Sequence, residues 1–445
     1  MLQLLGALGV TAVAGCGGDD GGDTPTETET RTATDTTAPT ATDTATPTAT
    51  DTATPTATDT ATATATDTAT PTPTPREPQF VSLFDGESLS GWHQVNGSAT
   101  YEVEDGAIVG TSVPDSPNSF LSPYKVFDDF VLEFETKVDT SLNSGVQIRS
   151  NTSQNNQHLH GPQIEIEGSP GESGYIYGEA LGTGWLSDQE THDALDNGEW
   201  NQYRARVEGE RIRTWINGTA IADLDLSQFD DVDDLIPMGI IGLQVHSVSA
   251  GNAGTQVRWR NVRIKELDIG EWTRLFDGTS TDGWTNPLDR GTATASDGVL
   301  ELDGDQSFLL LTEEPYDDFV FETWVKAGAK GGIVFRNPGG NRITGYRAEI
   351  DPTDDALSGG LYDSGTEEWI DSVEGEPHSR MAFKPDGWNY YRVMADGEDI
   401  RIWVNGVTTV DVTDDTQSSG RFGLQHRGGD GTIQFREMEY KPLGE

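Results

Sequence analysis

Cysteine is nearly missing from this chain of 445 residues: Cys16 stands alone, so no intrachain disulfide can form and packing must hold whatever folds. Basic residues are scarce as well, 28 Lys and Arg against 75 Asp and Glu, giving a formal net charge of −47. A surface of that sign repels phosphate backbones and argues against nucleic acid as a partner. Acids scattered along the whole chain, with few lysines, suit a protein that must stay hydrated in concentrated salt, where self-repulsion is screened, and imply a halophilic source. No Asp-rich loop has the spacing of an EF-hand or of a calcium-binding nonapeptide repeat. A Gly-rich nucleotide-binding loop is lacking too. Long apolar stripes at helical period are also absent.

What is there begins with residues 1–15, read as a lipoprotein-type leader. Leu2 to Ala14 are apolar and small, too short a run to span a bilayer, and they end in Val13-Ala14-Gly15-Cys16. That ending resembles a lipobox, in which cleavage precedes the cysteine and the thiol is lipidated. Cys16 is therefore the expected lipidation site, and the expected location is the outer face of the cell, anchored to a membrane without crossing it. No Lys or Arg precedes the apolar run, which implies a leader that starts further upstream. Residues 16–78 cycle through Thr, Ala, Asp and Pro, contain almost nothing that can be buried, and read as a disordered, extended stalk open to O-glycosylation.

Beyond the stalk one unit occurs twice. Leu83-Phe84-Asp85-Gly86 with Gly91-Trp92 returns as Leu275-Phe276-Asp277-Gly278 with Gly283-Trp284. Asp128-Asp129-Phe130, Trp200-Asn201, Trp215-Ile216-Asn217-Gly218 and Gly242-Leu243-Gln244 recur in order as Asp317-Asp318-Phe319, Trp388-Asn389, Trp403-Val404-Asn405-Gly406 and Gly423-Leu424-Gln425. The period is domain-sized, which predicts a first domain over 79–268 and a diverged second over 271–445. Within each copy, runs such as Phe130 to Glu135, Tyr203 to Val207 and Ile400 to Val404 alternate at period two, and the Asn-Gly pairs between runs supply the positive φ of hairpin turns. Many short strands joined by Gly-rich turns predict an all-β fold, with each copy an antiparallel sandwich or jelly roll.

The ordered phrases "LFDG…GW", "DDFVLEFE", "NSGVQIR", "GPQIEIEG", "GYIYGE", "WNQYRARV", "TWINGT", "GLQVH" and "VRWRNVRIKEL" resemble the 3-keto-disaccharide hydrolase family, also described as 3-keto-glucoside 1,2-lyase and 3-keto-2-hydroxyglucal hydratase. The resemblance implies two tandem concanavalin-like jelly rolls and a 3-keto-glycoside as the carbohydrate partner. It also implies chemistry: a ketone at C3 acidifies the hydrogen at C2, a base removes it, the C1 substituent leaves, and water adds back. Such a site needs a base near C2, an acid near the glycosidic oxygen, and a group that stabilises the enolate.

On Gln163-Ile164-Glu165-Ile166-Glu167, alternation puts Gln163, Glu165 and Glu167 on one face, about 6.6 Å between neighbours. Paired carboxylates at that spacing raise at least one pKa, making Glu165 and Glu167 candidate catalytic groups. Glu135 is a third catalytic candidate, on a face shared with Glu133, although the second copy has Trp324 there. Gln147 and Arg149 are candidate substrate contacts on Asn143 to Arg149, Arg149 as an enolate-stabilising cation. Copy two keeps Arg336 but replaces Asn143-Ser144 by Lys330-Gly331 and Gln147 by Val334. Gln244 and His246 share a face, His246 as a base or metal ligand and Gln244 as a substrate contact; in copy two Gln425-His426-Arg427 sends the histidine to the opposite face. The residues fix no cofactor; a divalent metal is the candidate, with His158 and His160 as further imidazoles. Tyr177 and Trp185, with Tyr175 and Trp200, offer sugar-stacking faces.

Three functions compete. The first is 3-keto-glycoside cleavage by copy one, with copy two weakened or purely binding. The second is a pair of carbohydrate-binding modules without chemistry. The third, a jelly-roll glucanase, would need a nucleophile where Gln163 stands, and an amide cannot serve.

Overall fold

The computed structural model describes residues 78–443, apart from 153–158, 168–170, 230–231, 233–234, 269–271, 341 and 354. The leader, the stalk up to residue 77, Cys16 and His158 lie outside the described residues. Among those described, strands dominate and the one α-helix is Pro377–Ala382.

Each copy is a pair of facing sheets. In the first copy the outer sheet runs in the order Thr219–Asp225, Arg211–Ile216, Asn201–Glu208, Phe130–Val138, Gln256–Glu266, Ala107–Thr111, Thr100–Glu104, with Val81–Ser82 added beside Gln256–Glu266. The inner sheet runs Gly184–Trp185, Ile176–Glu179, Leu159–Glu167, Asn143–Thr152, Ile240–Val245, Ser119–Pro123, Trp92–Asn96. Neighbours are antiparallel. The second copy repeats both orders strand for strand, from Thr292–Ser296 to Val407–Thr413 in one sheet and from Trp284–Thr285 to Glu368–Asp371 in the other. The duplicated phrases therefore encode one sandwich twice.

Alternation builds each core. Phe130, Leu132 and Phe134 of one sheet meet Val146, Ile148, Ile164 and Ile166 of the other, all buried. Asn217-Gly218 and Asn405-Gly406 both have positive φ, 49° and 83° in the first pair and 50° and 80° in the second, as a two-residue type I′ hairpin requires.

The two sandwiches dock. The outer sheet of the second lies on the outward face of the inner sheet of the first, and the buried cluster between them contains Phe120, Leu159 and Ile240 from one side and Val320, Tyr390, Met394 and Trp403 from the other. A change in pattern makes this possible. At matching positions the first copy has Gln202, Arg204 and Arg206 turned to solvent or half-buried, whereas the second has Tyr390, Arg392 and Met394, all buried.

Three cations, Arg392, Lys441 and Lys125, bridge the two copies at this seam. Arg392 donates to the Val126 carbonyl at 2.6 Å, faces Asp128 and Glu322 at 3.8 and 3.9 Å, and lies over the Trp272 ring. Lys441 bridges Asp128 and Asp268 at 2.5 and 2.7 Å, and Lys125 bridges Glu322 and Glu266 at 3.1 and 3.5 Å. Arg392→Ala takes away one of the two cations that face each of Asp128 and Glu322, leaves the Val126 carbonyl without its donor, and is expected to cost about 3–5 kcal/mol. Arg204→Ala, at the equivalent but exposed position, is expected to cost at most about 1 kcal/mol. Urea unfolding followed by tryptophan fluorescence checks the pair, and equal losses would contradict this account of the seam.

Candidate active site

The open part of the first inner sheet carries a groove of about 400 Å³, lined by Asn118, Asn143, Gln163, Glu165, Glu167, Glu172, Tyr177, Glu179, Ala180, Trp185 and His246. Register explains the assembly. Gln147 faces Gln163, Gly145 faces Glu165 and Asn143 faces Glu167 across one ladder, and Gln163 faces Tyr177 across the next. Directly opposed residues share a face, so one period-two pattern on three strands collects the amides, carboxylates and ring on the same side. Gly145 is required here: a Cβ would sit 2.4 Å from the Gln163 side-chain carbon, so its absence lets that amide lie across the strand.

Glu165 is the centre of the groove. It is 4 % exposed, and its carboxyl accepts from the Asn143 amide and from Gln163 Nε2, the latter at 3.1 Å. Gln147 Nε2 in turn donates to Gln163 Oε1 at 3.1 Å, and Ser150 Oγ donates to Gln147 Oε1. Each amide is thereby oriented by the next, and the chain ends on the carboxyl. Burial pushes Glu165 up to about 8, against the two amide hydrogen bonds that favour the charged form; Glu167 and Glu179 add to the rise. Glu172 is also raised, by burial and by its contact with Glu167. Asn143 reaches Glu167 as well, at 3.3 Å.

His246 closes one side. Its Nδ1 lies 2.8 Å from the Ser247 carbonyl, which can only accept, so Nδ1 carries the proton and Nε2 is the basic nitrogen of the neutral ring. Asn118 holds this turn through Ser247 N at 2.9 Å and donates to Glu179 at 2.8 Å from the far side of the sheet, which narrows the mouth. Tyr177 and Trp185 meet edge to face at 5.3 Å and form the aromatic wall.

The sequence-predicted residues divide. Glu165, Glu167, Gln163, Tyr177, Trp185 and His246 come together in the groove. Gln147 and Gln244 lie beneath its closed end, fully buried; Gln147 supports Gln163, and both amide atoms of Gln244 lack a protein partner among the described residues. Arg149 does not reach the groove. A bulge between Gln147 and Asn151, with Arg149 at φ 42°, breaks the alternation and turns its guanidinium to the Asp128 and Gly209 carbonyls and to Asp129. Glu135 does not reach it either: its strand belongs to the outer sheet, where Arg260 at 2.6 Å and Asn261 at 2.7 Å hold it. Trp200 stacks under Arg260 at 4.0 Å in that sheet, and Tyr175 is buried with its hydroxyl on the Glu190 backbone. His160 is buried opposite Asn151. Among the described residues no three His, Cys, Asp or Glu gather as a metal-ligating group. Asn118, Glu172 and Glu179 were not anticipated; Glu179, two residues beyond Tyr177 on one strand face, carried the only available signal.

The second copy keeps the carboxylates and changes their surroundings. Gly332 faces Glu349 as Gly145 faces Glu165, and Tyr362 meets Trp369 edge to face at 5.2 Å, as Tyr177 meets Trp185. But Arg347 replaces Gln163 and binds Glu349 at 2.7 Å, Arg427 replaces His246 and binds it at 2.9 Å, and Lys330 replaces Asn143 and binds Asp351 at 3.0 Å. Gln425, the counterpart of Gln244, is paired with Arg347 and Ser307, each at 3.3 Å. His426 points inward, its Nε2 on the Gly431 carbonyl and its ring on Phe308, as its place in the alternation predicts.

No curated protein matches the chain. Among solved structures, a putative glycosyl hydrolase from Parabacteroides distasonis is 21% identical, with 42% of this chain and 94% of that one covered and a TM-score of 0.32. The carbohydrate-binding module CBM66 from Bacillus subtilis is 20% identical, covering 37% of this chain and 97% of that one at a TM-score of 0.31. A Bacillus subtilis protein of unknown function with a galectin-like fold is 11% identical, covering 43% and 98% at 0.31. The family described as the 3-keto-alpha-glucoside-1,2-lyase-like domain matches residues 79–265 and again 271–441, which is most of the chain and both sandwiches. The protein is a carbohydrate-active member of the 3-keto-alpha-glucoside-1,2-lyase-like family, carrying the domain in two tandem copies.

Proposed function

We propose that the first sandwich cleaves 3-keto-glycosides by elimination across C1 and C2 followed by hydration. The observation that carries this reading is Glu165, a buried carboxyl that keeps its proton near neutral pH, in one groove with a histidine whose Nε2 is basic. His246 Nε2 takes the C2 hydrogen, which the C3 ketone has acidified, and the electrons move to the enolate. As the C1–O bond breaks, Glu165 gives its proton to the departing glycosidic oxygen, so alcohol and 2-hydroxyglycal form together. For hydration, water adds at C1 with Glu165 accepting its proton and His246 returning one to C2. A proton donor whose pKa lies near the working pH is the efficient choice for both directions. Tyr177 and Trp185 give the sugar an apolar face to lie on. Display outside the cell, on a lipid at Cys16, completes the proposal.

The second sandwich supports a different role. Both oxygens of Glu349 are held by arginines, Oε2 by Arg347 and Oε1 by Arg427, while the aromatic pair is intact and Trp369 is 37% exposed. We read that face as a sugar-binding surface without chemistry.

Glu165→Gln keeps the hydrogen-bonding shape but cannot transfer a proton, and is expected to lower kcat on 3-keto-trehalose or 3-keto-lactose by about 10²–10⁴-fold. Glu349→Gln is expected to leave it within about twofold, by the same argument. Full turnover by the Glu165 variant would refute the site; no 2-hydroxyglycal or 3-keto-glucose from the wild type would refute the reaction. The pH profile gives a second check. An acid that must be protonated loses activity as pH rises through its pKa, so kcat/KM is expected to fall above about 8. A rise through the same range would make Glu165 the base and reverse the roles.

A further inference from the structure

We propose that the second sandwich is a fixed wall on the sugar groove of the first, so that the groove admits the end of a saccharide and excludes its middle; this rests on the groove being the sugar site. The outward face of a seven-stranded sheet, with strands about 4.8 Å apart, is broad enough for a run of sugar units. Here only part of it is open. Phe120, on the same face as Gln244, and Leu159 and Ile240, at the far ends of the central strands, lie in the apolar seam with the second copy.

The cover is close and polar at its rim. Thr408 donates from its backbone to Thr152 Oγ1 at 3.1 Å, and its hydroxyl bonds the Asn151 side chain. A Cβ on Gly406 would sit 2.8 Å from Ile240 and 3.4 Å from the carbonyls of Pro123 and Tyr124. His93, on the last strand of the same sheet, is desolvated enough for burial to push it down to about 4, with Lys384 of the second copy adding to the fall. The surface running from Gln244 and Gln147 toward these residues is therefore occupied by protein. What remains is about 400 Å³, near the small end of ligand pockets at roughly 300–1,000 Å³. Glu179 and Asn118 narrow its other side.

Calorimetric titration of the intact protein carrying Glu165→Gln together with Trp369→Ala, which takes away the aromatic face of the second copy, tests this, using gluco-oligosaccharides of two to six units that carry a 3-keto group on the terminal unit. Affinity is expected to change by less than about threefold from dimer to hexamer, because added units gain no surface. The same hexamer with the keto group on an internal unit is expected to bind at least about tenfold more weakly. Lys441→Met, which leaves Asp128 and Asp268 facing each other at the seam, is expected to loosen the docking in solution scattering. It should also raise the hexamer-to-dimer affinity ratio by about tenfold. A wild-type seam with affinity growing tenfold along the series, or an internal keto unit bound as well as a terminal one, would overturn the wall. An unchanged ratio in a visibly loosened Lys441 variant would overturn it too. Binding of no oligosaccharide at any length would instead remove the groove as a sugar site, and the wall with it.

Discussion

Taking one carboxyl group out of water, without giving it a cation, is the interaction on which the first groove depends. Glu165 sits among amides, and amides can orient a carboxyl but cannot supply the full charge that would keep it ionised. The chain from Ser150 through Gln147 and Gln163 fixes both amide orientations. That arrangement costs stability as pH rises: the folded state holds the proton more tightly than the unfolded one between the ordinary carboxylate range and about 8, so the native state weakens across that window. A site that needs an acid at neutral pH accepts such a cost.

The second copy shows the same scaffold with the opposite electrostatic solution. Three substitutions, Gln163 to Arg347, His246 to Arg427 and Asn143 to Lys330 by position, turn neutral partners into cations. Glu349 and Asp351 become members of ion pairs, while the strand register and the Tyr362–Trp369 wall are unchanged. The outer sheet of that copy diverged in parallel, exchanging Gln202 and Arg206 for Tyr390 and Met394, which let it settle on the first. One duplication thus yielded a groove around a carboxyl without a cation and a second copy whose matching carboxyl is ion-paired, with the aromatic pair kept in both.

Much of this was legible in the sequence, for identifiable reasons. The face of Gln163, Glu165 and Glu167 followed from period two, because Leu159–Glu167 is regular up to that end. Asn217-Gly218 and Asn405-Gly406 announced their hairpins through positive φ. Alternation fails where its premise fails. Arg149 lies within a bulge, and nothing in Asn143 to Arg149 marks the irregularity. Glu135 was misplaced for another reason: alternation separates the two faces of a strand but does not say to which sheet the strand belongs. Glu349 escaped notice as the counterpart of Glu165 because Tyr346–Ile350 shares few letters with Leu159–Glu167, and only the pairing with Gly332 aligns them. The docking did leave a trace, in a strand of the second copy whose two faces both carry apolar residues, Tyr391 and Val393 on one and Tyr390 and Met394 on the other.

The protonation state of Glu165 decides between a groove built for proton transfer and one that merely holds a sugar. The most direct measurement is the side-chain carboxyl ¹³C shift of Glu165 across pH, identified by its loss in Glu165→Gln. A single titration near 8 is the result this account predicts. A carboxyl that ionises in the ordinary range near 4 would contradict it.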